Sequence, residues 1–223
     1  MPRVEQVLPL SRYGRRLGMR LEGRKAQEEI LAALSALPPG GVLVLDLSGV
    51  EVLSGSFADE AVAAVLSRLR EGEHPDRYLY LRAPALELLE DLEAKLLARK
   101  LAALVRLGGE EGWRVLGWLP PYLGDVLACA LRRGEARSVE VAQELGISPK
   151  QAALALQRLA SLRLLRRERE RKPGGGYRHR YLICDRYGRE AVIPAPSLGV
   201  PAPCGCYGWD RIGGRRNLMR NFS

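Results

Sequence analysis

Apolar and polar residues follow two alternating rhythms over the first 118 positions. Leu17–Leu21 reads as a short strand. From Gly23 to Leu37 the apolar positions Ala26, Ile30, Ala33, Leu34 and Leu37 fall three or four apart, the spacing of one helix face. Pro38-Pro39-Gly40-Gly41 stops that helix. Val42–Leu47 (VLVLDL) is then almost wholly apolar, as a strand buried on both faces must be. Phe57–Arg70 returns to helical spacing through Ala61, Val62, Val65, Leu66 and Leu69. Tyr78–Leu81 (YLYL) predicts another strand, Pro84 opens a long helix running to about Leu107, and Trp113–Leu116 predicts a last strand. Strands and helices in alternation predict an α/β domain over 1–118, with helices packed on a sheet.

Pro120-Pro121 breaks this order, and a second domain is expected over 119–183. Tyr122–Leu131 predicts its first helix, with Val126, Leu127, Ala130 and Leu131 inward. Cys129, in the same apolar run, is expected in the core. Ser138 is placed to cap a second helix that turns Val141 and Leu145 inward, and Gly146 supplies the turn after it. Ser148 is a favourable N-cap for a third helix, and Pro149 at its first position sacrifices no helical hydrogen bond. Ala152, Ala155, Leu156, Leu159 and Leu162 form the buried stripe of that helix. Leu164-Leu165 begins a hairpin whose tip is Lys172–Gly176 and whose return strand is Tyr177–Ile183. Beyond Cys184 the residues are rich in Gly and Pro without sustained period, so 184–223 is expected to be an extended tail.

Charge separates these halves. The chain carries a net charge of +9, but residues 1–119 hold 16 basic and 17 acidic side chains, against 19 and 9 in residues 120–223. The basic excess therefore lies with the three helices and the hairpin, which points to a polyanionic partner there. No apolar run approaches the roughly 18 residues of a membrane span, so no membrane partner is expected. The first twenty residues lack the apolar core of a secretory signal, so the expected compartment is the cytoplasm.

Helix, Gly-Ile-Ser turn, helix and basic hairpin together resemble the winged helix-turn-helix domains of bacterial regulators such as the ArsR and MarR groups. The resemblance covers about Leu119–Ile183 and implies duplex DNA as partner, a role in transcription regulation, and a homodimer. In such modules the exposed face of the third helix lies in the major groove. Lys150, Gln151, Gln157 and Arg158 are the candidates here, Gln for adenine and the cations for guanine or phosphate. Hairpin residues Arg166, Arg167, Arg169, Arg171, Lys172, Arg178 and Arg180 are the candidates for phosphate or minor-groove contact. His179 is expected on the hairpin surface. The chain departs from these regulators at Ala153 and Leu154, where many carry Ser and Arg, and at Arg163, where Gly is usual. Apolar residues on that face also suit a protein interface, so the alternative is a protein-interaction adaptor in a partner-switching pathway.

The first half carries a second motif. Val42–Glu60 runs strand, Asp46, Ser48-Gly49-Val50, a short extended piece, then Ser54-Gly55-Ser56-Phe57-Ala58-Asp59-Glu60 into a helix. This is similar to STAS domains, and closer to a STAS-like family of unknown function marked by Ser-Phe-Ala-Asp-Glu. Gly23-Arg24 with Ala26 and Ile30 fits the same family. The resemblance covers about Leu17–Leu107 and implies a partner-binding domain, often for a GHKL-type kinase, rather than an enzyme. Ser54, Gly55, Ser56, Phe57, Asp59 and Glu60 are the candidate partner-binding residues. The serine phosphorylated in anti-sigma-factor antagonists falls on Gly55 here, between Ser54 and Ser56. Read from the residues alone, Ser54 or Ser56 caps the helix, and Asp59 and Glu60 complement its positive end.

Candidate chemistry adds little to this. A Ser-His-Asp hydrolase needs a histidine near its nucleophile, and the chain has only His74 and His179. No phosphate-binding Gly-rich loop or dinucleotide fingerprint occurs. Cys204-Gly-Cys206 with Cys184 is too closely spaced for a typical structural zinc site. No catalytic residue, metal or cofactor is expected.

Overall fold

The computed structural model describes residues 4–108, 112–171 and 175–183. Lys172 and the tail with Cys184, Cys204 and Cys206 lie outside the described residues. The apolar run VLVLD is the strand β3 (Val42–Asp46), with Val42 to Leu45 all buried. It is flanked by β1 (Glu5–Pro9) and β5 (Tyr78–Ala83), both parallel to it. Strand β6 (Ala102–Leu107) adds parallel to β5, and β7 (Trp113–Gly117) adds antiparallel to β6. The resulting five-stranded sheet has the order β1-β3-β5-β6-β7. A separate two-stranded piece joins β2 (Arg16–Leu17) to β4 (Val52–Leu53).

Three of these strands differ from the sequence expectation. Strand β1 was not anticipated, because its residues alternate weakly and its edge position leaves Gln6 and Val7 exposed. The expected strand Leu17–Leu21 shortens to β2, since helix α1 already starts at Arg20 (Arg20–Ala36). The expected long helix from Pro84 to Leu107 is in fact α4 (Glu90–Ala98) followed by β6. The helix ends where Lys100 takes a left-handed φ of 53°. Strand β6 is buried on both faces, so its apolar residues show no alternation and extend the helical-looking run before them.

One face of the sheet is covered by α1, α4 and a helical run made of α2 (Gly55–Ala58), a π-helical turn (Asp59–Ala63) and α3 (Ala64–Arg70). Leu43, Leu45, Leu81 and Val105 meet Ile30, Leu34, Phe57, Val62 and Leu92 in that core.

The second half begins with α5 (Pro121–Arg133), then the short strand β8 (Glu135–Ala136), α6 (Ser138–Leu145) and α7 (Pro149–Ser161). Strands β9 (Arg166–Arg171) and β10 (Tyr177–Leu182) form an antiparallel hairpin, and β10 also pairs with β8. The apolar stripes fall largely as expected: Val126, Leu127, Ala130, Leu131, Val141, Ala152, Ala155, Leu156 and Leu159 are buried, and so is Cys129, whereas Leu145 and Leu162, expected inward, are half-buried at the ends of their helices. Burial pushes the Cys129 thiol up to about 11. Ser138 is not the cap of α6. Arg137 holds that position, its backbone N–H donating to Glu140 Oε2 at 3.2 Å. At α7 the expected cap is present: Ser148 Oγ accepts from the Gln151 N–H at 3.2 Å, and Gln151 Oε1 accepts from the Ser148 N–H at 3.0 Å.

The two halves share a core. Val42, Val44, Tyr78, Tyr80, Leu104 and Trp113, on the sheet face away from α1, are buried with Leu123, Leu127, Leu156, Leu164 and Leu165. Trp113 packs edge-on to Tyr80 at 5.0 Å. Two arginines fasten the junction. Arg166 donates to the Gly40 carbonyl at 3.1 Å, so close that a Cβ on Gly40 would lie 2.7 Å from its guanidinium. Arg163 has a left-handed φ of 62° and holds its guanidinium 6.0 Å from the centre of the Tyr78 ring. That backbone costs a non-glycine residue roughly 1–2 kcal/mol. A partly desolvated cation–π contact contributes about 0.5–2 kcal/mol, of the same order as that cost. The left-handed arginine thus has a structural partner in the neighbouring sheet.

Candidate nucleic-acid interface

The sequence RRERER of β9 alternates along an extended strand, so its odd and even positions lie on opposite faces. Arg167, Arg169 and Arg171 are exposed, whereas Arg166, Glu168 and Glu170 are half-buried. Their β10 partners in register divide between the same two faces, although there Arg178 is exposed and Tyr181 and Leu182 are both buried. Tyr177, His179 and Tyr181 lie opposite Arg171, Arg169 and Arg167, and Arg178, Arg180 and Leu182 lie opposite Glu170, Glu168 and Arg166.

The half-buried face is neutralised. Glu168 takes Arg180 at 2.8 Å and Arg166 at 3.1 Å. Glu170 takes Arg178 at 2.7 Å and Arg137 at 3.5 Å. The pairing continues onto α6, where Glu140 and Glu144 engage Arg132, Arg133 and Arg137. The Arg178 hydrogen bond holds the Glu170 carboxyl below the usual carboxylate range, and the Arg132 contact does the same for Glu144. Three of the candidate cations, Arg166, Arg178 and Arg180, therefore have carboxylate partners, and Arg166 is also turned toward the large sheet.

The exposed face is different. Among the described residues, Arg167, Arg169 and Arg171 have no carboxylate partner. Arg169 lies over the Tyr177 ring at 3.8 Å, which braces the guanidinium without cancelling its charge. Arg167 approaches His179 Nε2 at 2.6 Å, and because arginine only donates, the imidazole nitrogen accepts. Three guanidinium groups without carboxylate partners among the described residues, on alternate residues of one strand, make a cationic ladder. Tyr177 was not among the candidates; the β9–β10 register is the signal that places it there.

On α7, Lys150, Gln151, Leu154, Gln157 and Arg158 are all exposed, while Ala153 is half-buried. Lys150 and Arg158 make no ion pair among the described residues. Gln151 is committed at its carbonyl, which the Ser148 cap occupies, so only its amide N–H groups remain to meet a base. Beside this face an open groove of about 570 Å³ runs between α5 and α7, with Leu145 and Ile147 at its end. Tyr122 and Leu154 stand at its edges, 61% and 59% exposed.

The Ser54–Glu60 segment lies on the opposite side of the large sheet, in the other core. Ser54 is the helix cap: its Oγ accepts from the Phe57 N–H at 3.3 Å and donates to the Gly18 carbonyl at 2.8 Å. The Gly55 N–H donates to Asp91 Oδ2 at 2.8 Å. Phe57 and Ala58 are fully buried. Asp59 pairs with Arg99 at 2.8 Å, and Glu60 with Arg20 and Arg24 at 3.4 and 3.5 Å. Gly23 lets α1 cross closely, since a Cβ there would lie 3.0 Å from Glu60 Cβ and from the Phe57 carbonyl. Five of the six candidate partner-binding residues thus have an internal structural partner, and Ser56 alone is left exposed to solvent.

The Arg99 hydrogen bond, with Lys95 and Arg20 nearby, holds the Asp59 carboxyl below its ordinary range. A depressed carboxylate contributes stability that is present above the unfolded value, about 3.9, and is lost as pH falls through the folded one. Asp59→Asn is therefore expected to lower Tm near neutral pH, with the difference from wild type shrinking below about pH 4. Thermal melts of the two proteins across that range check it.

No protein-family model matches the chain, and no curated protein matches it. The architecture is mixed α/β, and no helix of the described residues is long and apolar enough to cross a membrane.

Proposed function

We propose that this protein is a DNA-binding transcriptional regulator, with a winged-helix portion over 119–183 that grips duplex DNA and a STAS-like portion over 1–118 that receives a partner or signal. The order of three helices and a hairpin supports the winged-helix reading, and a sheet with α1, α2–α3 and α4 on one face supports the STAS-like one. The observation that carries the function is the ladder of Arg167, Arg169 and Arg171, exposed and without carboxylate partners on a strand whose other face is neutralised. Unpaired cations at that spacing favour a polyanion and give it no base-specific information. Sequence information comes from Lys150, Gln157 and Arg158 on α7, with a lesser share from Gln151.

A salt-titrated binding assay on mixed-sequence duplex tests the reading. Binding at low salt that weakens linearly on a logarithmic salt scale is expected; no duplex binding at low salt overturns it. A second reading, an adaptor that grips protein, has one observation in its favour, the exposed Leu154 in the middle of the α7 face.

A signal at Ser54–Glu60 reaches the ladder only through the sheet. The shared core disfavours coupling by domain separation, so the coupling we propose runs through the strands themselves and not through a flexible joint.

A further inference from the structure

The groove between α5 and α7 has a chemistry unlike that of the cationic ladder. Its floor is apolar, formed by Val126, Leu145, Ile147 and Ala155. Two large apolar side chains, Tyr122 and Leu154, project from its edges. It holds one acid, Asp125, and one base, Arg158. Neither is in an ion pair among the described residues, although Arg132 and Arg133 of α5, Arg137 ahead of α6, and Arg178 and Arg180 of the hairpin are paired with glutamates. An acid beside an apolar floor is a poor surface for phosphate. It suits an occupant that brings apolar knobs together with one charge of each sign.

A second copy of this chain is such an occupant. In a two-fold interface the same patch meets itself, so each patch has to contain its own complement. This one contains both halves: projecting Tyr122 and Leu154 to fill a groove, a groove to receive them, and Asp125 and Arg158 to cross-pair. We propose that this groove is where two copies of the chain dock, and that docking and duplex binding exclude one another. The exclusion rests on the proposed duplex reading, because Gln151, Leu154 and Arg158 lie on both surfaces; the docking does not. This association differs from the DNA-competent homodimer that the resemblance implies, since it hides the α7 face.

Sedimentation velocity of the full chain over a wide concentration range tests the docking. A reversible dimer is expected. Asp125→Arg and Arg158→Asp, both at exposed positions, should each weaken it at least about tenfold, because each sets like charges opposite one another twice. Mixing the two variants should restore association, since each then meets its opposite. A chain that stays monomeric, a dimer indifferent to both reversals, or a mixture that fails to reassociate overturns the docking and leaves the groove to another kind of partner. In a second arm, duplex is added to the wild-type dimer. Duplex is expected to break the groove contact, so that the complex on DNA no longer responds to the charge reversals, and a groove-docked dimer that binds duplex intact overturns the exclusion. Absence of any duplex binding defeats the transcriptional reading and with it the exclusion, while the docking is decided by the first arm alone.

Discussion

Replacing Arg167, Arg169 and Arg171 together with alanine is expected to weaken duplex binding roughly 100-fold at low salt, about 0.9 kcal/mol per residue and so no more than one ordinary solvent-exposed contact each. The salt dependence should change as well. Each neutralised phosphate contributes a slope of about −0.9, so the triple variant's slope should be shallower by roughly 2.7. Between 50 and 200 mM salt it would lose roughly 40-fold less affinity than the wild type does. Stability should hardly move, because these side chains are exposed and bury no partner. The informative control is Arg178→Ala. It removes one positive charge from the same hairpin, but that charge is already held by Glu170 at 2.7 Å, so its effect on the slope should be well below the roughly 0.9 expected for each ladder residue. Equal effects per charge removed from the two faces would mean that net charge, and not the ladder, sets the affinity.

The second large effect concerns the shared core. Trp113→Ala is expected to cost about 3–5 kcal/mol, the range for removing a buried large aromatic. Trp113 is 3% exposed and packs on Tyr80 between the sheet and the second half. Because that core belongs to both halves, the loss should be felt by both. Thermal unfolding of the wild type should be one cooperative transition. In the variant, hydrogen-exchange protection should fall in α5 and α7 as well as in β5 and β6. Protection lost only in the strands, or two separate transitions in the wild type, would show halves that fold independently.

The sequence carried much of this arrangement in its periodicities. The helical stripes in α1, α5 and α7 and the two-sided burial of β3 follow directly from where the apolar residues fall. Ser148 and Pro149 marked the start of α7 correctly because capping is local chemistry. The failures are also physical. Strand β6 was absorbed into a helix because a strand covered on both sides loses its alternation. Strand β1 pairs only with β3 at a sheet edge, which leaves little pattern to read.

The candidate interface was legible in composition but not in its division. Counting arginines grouped Arg166, Arg178 and Arg180 with Arg167, Arg169 and Arg171. The alternation of Arg and Glu in RRERER already separated them, once the segment is taken as a strand. What no local pattern contained was the meeting of residues far apart in the chain: Arg163 with Tyr78, Arg166 with Gly40, Phe57 and Glu60 with Gly23. The Ser-Phe-Ala-Asp-Glu signature looked like a contact surface from its residue types. Its neighbours in space make most of it a fastening between helices.

The junction at Arg163 and Trp113 also bears on dissection of the chain. Severing it near Pro120 would lay bare Val42, Val44, Tyr80 and Leu104 on one piece and Leu127, Leu156 and Leu165 on the other. Fragments with such greasy, unpartnered surfaces tend to clump or to bind indiscriminately, so a weak or sticky result from an isolated carboxyl-terminal piece would say little about the intact molecule.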